Sequence, residues 1–146
     1  MKRRTLLTGC AVAAGLSGCL AVQPPGTDGT RRDNGSKVLD ATIETTEAGC
    51  GGPSTDSVGV DVTGDSVVIS GELPAPHPCH EATLIRTTLE GSQLRVTIDV
   101  ESILEPGQAC ILCHGRIEYL LTVELEDTSG IEEVVVDHMS GEVHRY

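Results

Sequence analysis

Alternation of apolar and polar residues with a period of two constrains this chain more than any other feature. In SQLRVTIDVES, Leu94, Val96, Ile98 and Val100 fall on one side, and Arg95, Thr97, Asp99 and Glu101 on the other. In RIEYLLTVELED the set Ile117, Tyr119, Leu121, Val123 and Leu125 falls together in the same way. Successive side chains of an extended chain point to opposite faces, so such segments are strands buried on one side. Further runs lie at 38–45, 58–62, 67–73, 82–89 and 131–139. They are separated by turn signals at Thr63-Gly64-Asp65, Glu90-Gly91-Ser92, Thr128-Ser129-Gly130 and Ser140-Gly141. No window carries an apolar stripe of helical period. The pattern predicts an all-β domain, a small antiparallel β-sandwich or open barrel of about seven strands, with a single turn of helix at 103–107.

Such a core would be modest. The 146 residues contain no Phe, no Trp and only two tyrosines, Tyr119 and Tyr146, so its apolar surface must come from Val, Leu and Ile. A fold of this kind gains from cross-links, and six cysteines are present, four of them beyond Cys10 and Cys19. Two of these, Cys50 and Cys79, fall in the irregular stretches 49–55 and 73–80. Cys110 and Cys113 share the connection 102–115. Four cysteines allow three pairings. Cys79 with Cys110 and Cys50 with Cys113 is the preferred scheme, because it ties all three irregular stretches together.

The first residues read as an address. A basic start, Lys2-Arg3-Arg4, precedes a short apolar run from Leu6 to Leu16, too short to span a bilayer as a stable helix, and then small residues. Arg3-Arg4-Thr5-Leu6-Leu7 resembles a twin-arginine export signal, and Leu16-Ser17-Gly18-Cys19 resembles a lipobox. Residues 1–18 are then a removable signal, Cys19 the lipid-bearing first residue, and 19–37 a Pro- and Gly-rich tether. A tether of that length spans on the order of 25 Å root-mean-square. Asn34-Gly35-Ser36 within it matches a glycosylation acceptor. Residues 38–146 form the β-domain. Export places the four remaining cysteines where disulfides persist.

Charge narrows the choice of partners. The chain has 22 acidic and 10 basic residues, three of the latter being Lys2, Arg3 and Arg4, so beyond Gly18 the balance is 22 against 7, a net of −15. That field disfavours nucleic acid and anionic lipid heads as partners of the domain itself. The membrane is reached through the lipid on Cys19, and the other partner is a protein or small-molecule ligand that the sequence does not name. Lys37 is the only lysine past the signal. An acidic, lysine-poor surface resembles that of haloarchaeal proteins.

Chemistry-bearing residues concentrate in PAPHPCHE and ACILCHG. Cys110-x-x-Cys113-His114 has the spacing of a c-type haem site, with Met139 or another histidine as second axial ligand. A haem needs a large, usually aromatic pocket that this composition does not supply. His77, His80 and His114, with one or two thiolates, form a ligand set suited to zinc or copper, and metal handling is the main alternative function. A thioredoxin-like dithiol at 110–113 would need a helix N-terminus, whereas this one precedes a strand. No hydrolase motif is present. Asp137 and His138 near Ser140 are of the right types for a triad, but adjacent strand positions face opposite ways.

The twin-arginine lipobox start, Pro-x-Pro-x-Pro-Cys-His-Glu-Ala at 74–82, and Ala-Cys-x-x-Cys-x-Gly at 109–115 before a strand with Tyr119 together look like the small exported lipoproteins of haloarchaea. The resemblance implies a surface location and an all-β domain, and it brings no catalytic residues. The expectation is a lipid-anchored, disulfide-stapled, non-catalytic binding or envelope module on the outer face of the cell membrane, without a cofactor.

Overall fold

The computed structural model describes residues 36–51, 56–139 and 141–146. The signal, Cys10, Cys19, most of the tether and Asn34 lie outside these residues. The described chain is all β. It runs through β1 (Val38–Cys50), β2 (Ser57–Val62), β3 (Ser66–Ala75), β4 (His80–Glu90), β5 (Gln93–Ser102), β6 (Gly115–Leu125), β7 (Glu133–His138) and β8 (Val143–Arg145). Two four-stranded sheets form, ordered β1-β6-β3-β2 and β4-β5-β7-β8.

The alternating sets meet between the sheets. Val67, Ile69 and Leu73 of β3 and Ile117, Tyr119, Leu121, Val123 and Leu125 of β6 face Leu94, Val96 and Ile98 of β5 and Val134 and Val136 of β7, all buried. Val100 sits half-buried at the margin of this cluster. One aromatic side chain enters the core, and it needs room. Tyr119 lies opposite Gly71 in the β3–β6 register, and a Cβ at position 71 would collide with the phenol ring.

A sandwich has two lateral openings, and here each is bridged differently. On one side the edge strands β1 and β4 are joined by the Ala82 N–H donating to Thr45 Oγ1 at 2.8 Å. On the other, beside β2 and β8, the Tyr146 hydroxyl donates to the Val58 carbonyl at 2.6 Å, and a histidine–carboxylate cluster spans the gap.

The expected all-β sandwich of about seven strands is borne out, each alternating run forming a strand, and the short β8, too brief to show alternation, makes an eighth. Two details differ. The second sheet is mixed, since β7 pairs parallel to β5. The chain leaves β5, crosses to the other sheet for β6, and returns, so β7 re-enters in the direction of β5. Residues 103–107 hold no helix. Instead Gln108 N–H donates to the Glu105 carbonyl at 3.0 Å, with Pro106 second in the turn and Gly107 third at φ +88°. That is the geometry of a type II turn, which Pro-Gly favours.

Candidate functional site

Two clusters of chemistry-bearing side chains occur among the described residues, one where β1, β3 and β6 meet their connections and the other beside β2, β7 and β8. The first is the cysteine region. The chain carries two disulfides, Cys50–Cys113 and Cys79–Cys110, with Cα separations of 5.7 and 6.1 Å. Both end on the 103–114 connection. Gly115, which opens β6, lets this connection close onto the β3–β4 loop, since a Cβ there would meet the His77 carbonyl. The His80 ring packs on the His77 ring, with centroids 4.3 Å apart, and its Nδ1 bonds the His77 carbonyl at 3.0 Å.

Of the histidines expected to act together, only His77 gathers with sulfur, beside Cys79 and Cys110. His114 is exposed and belongs to neither cluster. With Cys110 and Cys113 each oxidised to a different partner, neither sulfur is available for a haem thioether or a thiolate ligand in this covalent state. The connection also exposes Ile111 and Leu112, at 71% and 100%.

The second cluster is Asp56, His138 and His144, with Tyr119 behind it. His138 closes β7 in the alternation that buries Val134 and Val136, so its ring points into the sandwich and its side chain is fully buried. The His138 Nε2 meets the Tyr119 hydroxyl at 2.7 Å, and Nδ1 meets Asp56 Oδ1 at 2.5 Å. His144, on β8, brings Nε2 to the same oxygen at 2.9 Å. The other oxygen, Oδ2, accepts the Glu142 N–H at 2.8 Å. Gly141 lies directly against it, and a side chain there would collide with the carboxylate.

Burial acts to raise the Asp56 pKa, but the bonds from Glu142, His144 and His138 outweigh it and hold the carboxyl below its ordinary range. Burial pushes His138 below the ordinary histidine value, against the pull of Asp56. Burial, then the nearby Asp56 charge, pushes the Tyr119 hydroxyl well above its ordinary value. The resting arrangement is therefore a carboxylate at Asp56 with a neutral His138 imidazole and a neutral Tyr119 phenol. Tyr119 and His138 are sealed from solvent, so they form no nucleophile–base pair that a substrate could reach.

No protein-family model matches the chain, and neither any curated protein nor any solved structure matches it. Sequence reasoning missed the second cluster. Its one readable signal was the period of Glu133–His138, which places His138 on the same face as Val134 and Val136. Asp56 precedes a strand and His144 sits in a three-residue one, so neither position carries a pattern.

Proposed function

We propose that this protein is a lipid-anchored extracytoplasmic module, held to the membrane through Cys19, whose disulfide-stapled β-sandwich binds a partner without catalysing a reaction. The observation that carries this reading is the use of all four described cysteines in two disulfides that converge on one connection. Disulfides of this kind persist in oxidising compartments. They also hold Ile111 and Leu112 outward on a loop of restricted freedom, which makes the 103–114 connection the contact surface of the module.

The test is the intact mass of the full-length chain expressed in a halophilic host, extracted from membranes and measured denatured without reductant. A chain cut before Cys19, carrying lipid and short by four hydrogens, is expected. Cys19→Ser should leave the protein out of the membrane fraction. A full-length, unlipidated chain with free thiols would overturn the proposal.

A further inference from the structure

Asp56, His138 and His144 come from three separate segments, and yet one carboxylate oxygen receives both ring nitrogens. We propose that these three side chains form a binding site for a divalent transition-metal ion of the zinc class, set between the free edges of the two sheets. The proposal stands on this cluster alone and does not depend on anchoring or on the cysteines.

The donor set comes first. Two imidazoles and one carboxylate suit zinc and its first-row neighbours, whereas magnesium and calcium prefer oxygen throughout. All three donor atoms lie within 4.8 Å of one another. An ion with bonds of about 2.0–2.1 Å in tetrahedral geometry needs its donors about 3.3 Å apart. The carboxylate oxygen lies 2.5 and 2.9 Å from the two nitrogens, which are themselves within 4.8 Å of each other, so the donors have to shift relative to one another by no more than about 1.5 Å. The Asp56 Oδ2, held by the Glu142 N–H, is the natural pivot.

The surroundings fit as well. Metal-binding histidines commonly give their second ring N–H to an outer acceptor, which fixes the tautomer. His138 has such a partner in Tyr119. A phenol hydroxyl can donate to Nε2 when Nδ1–H faces Asp56, and accept from Nε2–H when Nδ1 turns its lone pair to an ion. Exchange between the two states changes tautomers and leaves the proton count alone. Asp56 and His144 retain 12% and 16% side-chain exposure while His138 has none, so the remaining coordination position faces water. The acidic domain concentrates cations at its surface.

The experiment uses the full-length chain in detergent, disulfides intact, stripped with chelator and titrated with Zn2+, Mg2+ and Co2+. One Zn2+ per chain is expected, with a raised Tm, perturbation of the His138 and His144 ring signals by NMR, and a tetrahedral Co2+ spectrum. Mg2+ should do nothing. Asp56→Asn and His144→Gln should each weaken Zn2+ binding at least about 100-fold, and Tyr119→Phe, which removes only the outer partner, about 10- to 100-fold. His114→Gln should leave it unchanged. The ring signals of the unaltered chain keep the test decisive if a variant fails to fold. Absence of stoichiometric Zn2+ binding overturns the proposal, and so does binding that leaves the His138 and His144 signals unmoved.

Discussion

Gly71 and Tyr119 show how a core without Phe or Trp holds its single large ring. The phenol occupies space that any side chain on the facing residue of β3 would take. Gly71→Ala should therefore cost about 1–3 kcal/mol, as overpacking does, measured by urea unfolding. In Tyr119→Leu the added methyl should be better tolerated, so the double variant should be less destabilised than the sum of the singles. A second residue-level effect follows from Asp56 and His138, whose pKa values are both depressed in the fold. A depressed group binds protons less readily when folded than when unfolded, so its stabilisation is full above its ordinary pKa and fades as pH falls through the depressed value. His138 acts first, below its ordinary 6.5, and Asp56 follows below its ordinary 3.8. His144 and Tyr119 face the same pair, and the Asp137 charge nearby slightly favours protonation of His138. Chelated protein in 1 M NaCl should lose Tm steadily as pH falls from 7 to 4. A flat profile, or one equally steep in His138→Gln, would show that the cluster does not carry this sensitivity.

Between residues and the whole lie the cross-strand rows and the covalent ties. On the outer face of the first sheet, Glu47 of β1, Glu118 of β6 and Glu72 of β3 stand directly opposite one another in register. Like charges so placed repel, and Arg116 answers all three at 3.5, 2.5 and 3.7 Å respectively. Arg116→Gln should cost about 1–2 kcal/mol at low salt, recovered largely in 1 M NaCl, which distinguishes charge relief from lost packing. The disulfides are nested, Cys79–Cys110 spanning 31 residues inside the 63 of Cys50–Cys113. Opening either one alone frees a loop of similar length in the unfolded chain. Cys79→Ala/Cys110→Ala should therefore cost about 3–4 kcal/mol, read from denaturant midpoints under non-reducing conditions. At this scale the sequence was most informative. Period two located β5 and β6 and the inward face of each, because one-sided burial writes itself into alternate positions. It could not show that β7 lies parallel to β5, which is set by the path through the opposite sheet. Nor could it place Asp56 beside His138, because a contact across 82 residues depends on how the two sheets dock and leaves no local trace.

At the scale of the whole molecule, charge sets the conditions under which the fold is stable. Beyond Gly18 the net charge is −15, and like charges face each other across strand pairs at Asp40 and Glu124 and at Glu81 and Glu101. Few cations interrupt this field, and hydrophobic burial by Val, Leu and Ile has to hold against its repulsion. Screening shortens the reach of each charge from about 10 Å at 0.1 M salt to about 3 Å at 1 M. Tm at pH 7 should therefore climb steeply with NaCl at low concentration and flatten towards 1 M, by which point most of the pairwise repulsion is gone. Sucrose strengthens burial without carrying charge, so it separates the two effects: it should raise Tm without that early steep rise. Asp40→Asn with Glu81→Gln should lower the slope against NaCl while raising Tm at 0.1 M. A Tm that does not respond to NaCl, or a slope untouched by neutralising these two positions, would mean that the carboxylates are solvated independently. The acidic surface would then serve solubility alone.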